Sequence, residues 1–536
     1  MVSNGFIMKK RSRNSIKEHI ERLTQIGIAL SSTKDVNEFF TLILSEAISY
    51  TNADAGTLYL TSSDKKSLEF QVIYNGTMHI PMKVIDKSYG WKPVNLYVEE
   101  EKNLKNMVSY VYHTKSPMMI EDVYFQDLFD SSGTKAYDAA NGYRSKSMLA
   151  IPMKNHEDAV LGVIQLINAM DDDGKVIAFD AQGSSHLMSL TSQAGILLTN
   201  RQLIDGLETL LQDFLRSIAK AIEHDSKYTS GHISRVARLT EMLADTMNND
   251  DDYYPDVHFT EDELKEISMA GWMHDIGKIT TPPHIRDKSK KLETIIDRIT
   301  IVKARHQAIK LGLKLKHTRG ELDDVSYLAE LKKLNDAMAF IQTSNAGSEF
   351  ITPEAKARLE EIHKNRYQFD DETISLIDEN ELRNLQIPKG TLLPEEREKI
   401  QEHAKVTWEM LSSITFPAKY HNVPLFAASH HEQLSGKGYP FGLKNSQIPL
   451  KARIIAVADI FEALSAKDRP YRAQSTLSQA LRIMTFFVKD YSIDKDIFFL
   501  FLDSGLYMEY ARKFMDPEQI DDVNIDAVKA ACQPGK

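Results

Sequence analysis

The stretch HHEQLSGKGYPFGL, residues 430–443, sets two histidines side by side, adds an acid, and brings Gly-Tyr-Pro seven residues after the second histidine. Glycine lets a backbone turn tightly where other residues resist. Proline then fixes φ and stiffens the exit. The loop reads either as a shaped rim beside two metal-ligand side chains or as an ordinary helix-capping turn. Which of the two applies depends on what else the chain can bring to the same place.

The same half of the chain concentrates metal-ligand residue types. His232 sits in TSGHISRV, His274 and Asp275 in GWMHDIGK, His403 in KIQEHAKVT, and Asp459 in IAVADIFEAL; with His430 and His431 these are five of seventeen histidines. Taken singly, each histidine is a weak signal, because a lone one on a helix is more often a core or surface residue. Successive helix side chains diverge by about 100°. An adjacent His-Asp pair can therefore fan around a cluster, with the carboxylate shared between two ions. Five imidazoles and two carboxylates exceed one tetrahedral zinc. They suit two six-coordinate divalent cations, and an all-N/O set favours Fe(II) or Mn(II), with Co, Ni or Zn admissible.

A chain of 536 residues is too long for one core and predicts several domains. With 42% apolar and 26% charged residues it reads as soluble and globular. The greasiest run, IFFLFL at 497–502, is far short of the roughly 18 apolar residues of a spanning helix, so it reads as core and no membrane insertion is expected. The basic start, with Lys9, Lys10, Arg11 and Arg13, lacks a following apolar segment and is not a secretory signal. The single cysteine, Cys532, excludes an internal disulfide and argues against a thiolate site, which fits a cytoplasmic protein. A net charge of −11 argues against binding nucleic-acid polymers, but not against a small anionic substrate at a locally positive metal site.

Along the chain, residues 15–50 read as helical, with Phe39, Phe40, Ile43, Leu44, Ala47 and Ile48 on one face. GTLYL (56–60), LEFQVIY (68–74), SMLAIPM (147–153) and AVLGVIQLIN (159–168) read as strands, the last two as a hairpin in mid-sheet. Then Ile204, Leu207, Leu211, Phe214, Ile218 and Ala221 step at coiled-coil spacing, with Leu190 and Leu197 extending the register backwards. This is either a parallel-dimer seam or one amphipathic helix packed on its own domain. Residues 225–278 and 391–520 read as helical. The charged segment between them, about 280–390, reads as a helical hairpin turning at Gly320. Its expected faces are Leu292, Ile295, Ile299 and Val302, and Leu328, Leu331, Leu334 and Met338; its His306, His317 and His363 read as surface residues.

Two resemblances add to this reading. The ADAGTLYL strand, the SMLAIPM…VLGVIQLIN hairpin and the exit helix LTSQAGILLTNRQL make the first segment similar to a GAF domain, which implies a dimerising module or a small-molecule sensor. DDDGK (171–175) and Phe179-Asp180 lie where some relatives carry a cyclic-nucleotide signature, here incomplete. HDIGK at 274–278, HHEQLSGKGYP at 430–440 and IPLKARIIAVADIFEALSAKDRPYR at 448–472 resemble the HD-GYP phosphodiesterases, a branch of the HD superfamily. The expected organisation is a multidomain chain. It has a flexible start (1–14), an α+β GAF-like sensor (15–200), a connecting helix (201–224), an all-α HD-type catalytic domain (225–520) with its helical insertion, and a tail (521–536).

The HD-GYP resemblance implies that His232, His274, Asp275, His403, His430, His431 and Asp459 hold two divalent ions. It implies metal-assisted hydrolysis of a cyclic dinucleotide, cyclic di-GMP to pGpG with GMP as a further product, and cyclic GMP-AMP as the competing substrate. Asp275 and Lys278 are the catalytic candidates; Lys278 would hold a phosphate oxygen in the cleft or is a solvated helix-end lysine. Gly438, Tyr439 and Pro440 would form the substrate-side rim, and Arg469 and Arg472 would contact phosphate or base, or else pair with Asp468 or Glu462. Expected partners are the substrate, a GAF ligand, a second copy of the chain and a diguanylate cyclase. Three departures stand out: Tyr228 where some relatives place a Glu serving a third metal, Gln433 and Ser435 where many have Arg and Asp, and the long insertion. A catalytically silent scaffold and an HD hydrolase of nucleotides such as ppGpp are the competing readings.

Overall fold

The computed structural model describes residues 35–85, 91–224, 231–347, 350–369, 371–466 and 475–533. The chain divides into two compact units between Thr209 and Leu210. The N-terminal unit is α+β. Helix α1 (Val36–Thr51) starts where the Asp35 side chain accepts the Asn37 N–H, and it buries the six apolar residues expected of it. The rest of the expected 15–50 helix lies outside the described residues. Strands β1 (Ala53–Thr61), β2 (Ser67–Asn75), β3 (Ile80–Val84), β4 (Met118–Ile120), β5 (Met148–Lys154) and β6 (Val160–Met170) form an antiparallel sheet in the order β3-β2-β1-β6-β5-β4. The β5–β6 hairpin lies in mid-sheet, in a register that pairs Met148 with Ile167 and Ile151 with Ile164.

Alternate residues of a strand face opposite sides, and here both sides are covered. Leu149, Ile151, Met153, Ile164 and Leu166 pack under α1 and the start of helix α2 (Ala181–His224). Met148, Ala150 and Val163 pack against Met107, Val108 and Val111. The residues expected at seam spacing along α2 divide between packed and outward positions. Leu190 belongs to the sheet core with Leu187, Ala194 and Leu198, and Leu197 is packed against it. Leu211 and Ile218 lean on a cluster around Leu215, Ala219 and Ile222. The outward large apolar residues are Met188, Ile196, Leu203, Ile204, Leu207, Leu210 and Phe214. A 3.6-residue helix drifts about 20° per heptad, so one strict register does not stay on one face.

The C-terminal unit is built of helices. Those that carry the site are α3 (His232–Met247), α4 (Glu261–Met273), α5 (Pro394–Ser412) and α6 (Leu450–Ser465). The run 497–502 is core, with Ile497, Phe498, Leu500, Phe501 and Leu502 buried. Between α4 and α5 lies the insertion, which has its own apolar cluster from Leu292 to Leu385. Its helices Ile299–Thr318 and Asp324–Ser344 are joined through Gly320, whose φ of +75° suits glycine.

Four expectations for the insertion are corrected. Ile295 and Leu328 are exposed, because the helical face begins only at Ile299 and Leu328 lies near the turn. His306 is buried and meets Asn335 Oδ1 at 3.0 Å. The insertion also includes a two-stranded hairpin, Tyr367–Phe369 with Glu372–Ile374. Two buried lysines tie its base: Lys291 donates to the Leu385 and Ile387 carbonyls, and Lys288 to Asn384 and Glu396. No helix among the described residues is long and apolar enough to cross a membrane.

Candidate metal centre

The seven residues picked from the sequence come from six elements and converge. His232 is the first residue of α3, after Gly231 at φ +78°. His274 closes α4, and Asp275 opens a 3-10 turn over Ile276–Thr280 rather than continuing the α-helix. His403 is on α5. His430 and His431 end a second 3-10 turn, Ser429–His431, and Asp459 lies in α6.

Gly277 explains why the His-Asp turn sits so close to α5. A Cβ there would lie 2.0 Å from the His403 carbonyl oxygen. Thr407 Oγ1 completes the junction, accepting from Gly277 N–H and donating to the His274 carbonyl, each at 3.1 Å.

The atoms divide into two groups around Asp275. Asp275 Oδ2 lies 3.4 Å from His232 Nε2 and 3.3 Å from His274 Nε2. Asp459 Oδ1 faces the same two nitrogens at 3.3 and 3.9 Å. On the other side, Asp275 Oδ1 lies 3.4 Å from His403 Nε2 and 3.9 Å from His430 Nε2. The triads His232–His274–Asp459, His403–His430–His431 and His274–Asp275–His430 each place one ligand atom per residue within 4.8 Å of the others.

The tautomers follow from the partners. His274, His403 and His430 meet the carbonyls of Gly271, Ile400 and Ala427 through Nδ1, at 2.8, 2.5 and 2.6 Å. A carbonyl only accepts, so Nδ1 carries the proton and Nε2 is left with a free lone pair. Those three Nε2 atoms and Asp275 Oδ1 are buried without a hydrogen-bond partner. Buried polar atoms are almost always paired. Convergent lone pairs without donors therefore fit a cation, and the N/O donor set fits a divalent transition metal.

The electrostatics split along the same line. Burial works against the Asp275 carboxylate, but Lys278 and the surrounding imidazoles outweigh it and hold the group well below the usual range. Asp459 is likewise held low by His232 against its burial. Burial pushes His430 well down, with His431 and His274 adding to it. Burial and His403 bring His431 to about 3. His232 goes the other way, because Glu462 and the two aspartates overcome its burial.

Lys278 Nζ is 2.5 Å from Asp275 Oδ2, so it reaches the cleft already paired. Tyr439 packs with its ring centroid 4.8 Å from that of His431, and its peptide bond to Pro440 is cis. Gly438 is required by close approach, since a Cβ would lie 2.3 Å from Gln433 N. Arg469, Arg472 and Tyr228 lie outside the described residues. Three side chains have roles that the sequence reading did not assign. Buried Glu432 gathers the N–H groups of Phe441, Gly442 and Leu443 at 2.6–3.0 Å and so fixes the loop. Glu462 and Arg235 brace His232 from behind. Their signal was the spacing of three, Asp459 to Glu462 and His232 to Arg235, which puts each pair on one helix side.

Comparison with known proteins agrees with this division. Residues 35–198 match the GAF domain family, and residues 229–356 and 380–497 match HD domain families. The 3'3'-cGAMP-specific phosphodiesterase 3 of Vibrio cholerae is 42% identical over 95 residues, 18% of this chain and 20% of that protein. A cyclic di-GMP phosphodiesterase of Thermotoga maritima is 39% identical over 93 residues, 17% of this chain and 25% of that protein. The 3'3'-cGAMP-specific phosphodiesterase 2 of Vibrio cholerae is 23% identical over 278 residues, 52% of this chain and 32% of that protein. This chain thus spans a third or less of each of these three relatives. The protein joins an N-terminal GAF domain to a helical HD domain.

Proposed function

We propose that the helical unit is a metal-dependent phosphodiesterase that hydrolyses a cyclic dinucleotide, with cyclic di-GMP opened to pGpG as the leading reaction and cyclic GMP-AMP as the alternative substrate. The observation that carries this is the pair of buried His/Asp groups sharing Asp275, with four unpaired ligand atoms pointing together. The names of the relatives supply the substrate class.

His232, His274 and Asp459 would hold one cation and His403, His430 and His431 the other, with Asp275 between them. Fe(II) or Mn(II) would supply Lewis acidity and water activation. Asp275, kept ionised by Lys278 and the imidazoles, presents one oxygen to each group. Lys278 would exchange part of its hold on Asp275 for a nonbridging phosphate oxygen. Gly438, Tyr439 and Pro440 form a stiff edge where a nucleobase packs, and Arg469 and Arg472 add substrate contacts.

The N-terminal domain would act as a small-molecule sensor in a cytoplasmic homodimer, with a diguanylate cyclase as a further partner. The outward Leu203, Leu207, Leu210 and Phe214 of α2 support dimerisation. Glu223, near the end of α2, accepts the Ser234 N–H at 3.2 Å, two residues past His232, which gives that helix a hold on the site.

The test is a hydrolysis assay on full-length protein loaded anaerobically with Fe(II) or Mn(II), with both cyclic dinucleotides run in parallel. A linear dinucleotide is expected. D275A should lower turnover by more than about 100-fold and metal content with it, because loss of a second-layer partner alone costs about 10–100-fold. Turnover that survives D275A sinks the assigned site. GMP as the main product argues against two cations.

A further inference from the structure

We propose that Glu462, clamped by Arg235, is a positioning residue for His232 and makes the His232–His274–Asp459 group the tighter of the two cation positions; this rests on the two-cation reading above. Three site histidines are anchored at Nδ1 by neutral backbone carbonyls. His232 alone among the described site histidines is anchored by a carboxylate, Glu462 Oε2. Glu462 is fully buried, and its other oxygen accepts from Arg235 Nε at 2.7 Å. A buried carboxylate left alone would be costly. The guanidinium therefore keeps it ionised while leaving one oxygen for the imidazole.

Helix geometry builds the arrangement twice. Asp459 and Glu462 are three residues apart on α6, and His232 and Arg235 are three apart on α3. Each helix thus supplies one candidate ligand and one support on the same side. A carboxylate behind a histidine fixes its ring and raises its basicity as a ligand. Charge points the same way. Asp459, Asp275 Oδ2 and Glu462 all bear on the His232 side. Among the described residues, the three-histidine side has one carboxylate oxygen within ion-pair distance, Asp275 Oδ1.

The experiment is equilibrium dialysis of the full chain against Mn(II), in backgrounds that isolate each position. H431A leaves the His232 side, and H232A leaves the other. Wild type should bind two equivalents, the H431A protein retaining the tighter one. In the H431A background E462Q should weaken Mn(II) binding about 10–100-fold. In the H232A background it should stay within about twofold, because the imidazole that Glu462 holds is already gone. No loss in the first background, or equal loss in both, overturns the positioning role while leaving the metal centre standing. Wild type that binds no Mn(II) overturns both readings. If E462Q does not fold, R235Q carries the test: weaker binding only in the H431A background supports the proposal, and unchanged binding there overturns it.

Discussion

The two units each bury a polar centre, and the two centres are built on opposite plans. In the N-terminal unit the groups close on one another. Tyr143 donates to Asp54 Oδ2 at 2.7 Å and accepts from Asn168 Nδ2 at 3.1 Å, and Thr77 serves the other Asp54 oxygen twice. Asp138 takes the Tyr124 hydroxyl and both the N–H and hydroxyl of Ser145. One buried side-chain atom in that unit, Ser109 Oγ, lacks a partner among the described residues, and it stands alone in an apolar layer. In the helical unit the unpaired atoms include three imidazole nitrogens and a carboxylate oxygen that face one another. A satisfied network holds a fold in one arrangement. A convergent unsatisfied one gains stability from whatever occupies it.

The largest consequence separates the units by chelation. A ligand that binds the folded state at 100 times its Kd adds about 2.7 kcal/mol. For a helical unit of about 330 residues that shifts the melting midpoint by about 4 °C. Calorimetry with and without EDTA should move the transition of the helical unit down by that amount and leave the GAF transition in place. If both transitions move together, or neither does, the contrast between the two polar centres fails.

A second test uses pH on metal-stripped protein, where the two halves of the centre should pull in opposite directions. His403, His430 and His431 have folded pKa values below the unfolded one near 6.5. The unfolded state then binds more protons, so stability falls as pH drops from about 6.5 toward 3. His232 is raised well above 6.5, so its contribution is full below that pH and is lost as pH rises through its folded value. Metal-free helical unit should therefore be most stable near pH 6.5, as read by urea midpoints across pH 5 to 9. A plateau through this range would show that the clusters are not set against each other.

How much of this was legible beforehand depended on whether a signal was local. The α1 face, the β5–β6 hairpin and the His-Asp and His-His pairs are short-range patterns, and periodicity or adjacency exposes them. All seven residues picked for the centre do meet. Glu462 was not picked, because its partner His232 is 230 residues away, and a spacing of three from Asp459 marks a shared helix side without naming that partner. The 3-10 turns at Asp275 and His430 were read as helix, since spacing alone does not separate three residues per turn from 3.6. Leu190 went into the seam and His306 to the surface because both readings ranked residue type above tertiary burial.

The smallest effect sharpens the comparison from the other side. Tyr143→Phe removes one hydroxyl from the closed network and leaves Asp54 Oδ2 and an Asn168 N–H short of a partner. Such a loss costs about 1–3 kcal/mol. Asp54 keeps both of its bonds from Thr77, and Asn168 keeps the Arg144 carbonyl, which favours the lower end of that range. The GAF transition should fall by a few degrees, about 2–4 °C per kcal/mol, with Mn(II) content unchanged. That pairing of results is what distinguishes a structural polar centre from a ligand-binding one: the first is harmed by subtraction from within, the second by withdrawal of what it holds. A Y143F protein that lost Mn(II) while keeping its GAF midpoint would reverse the assignment of the two centres.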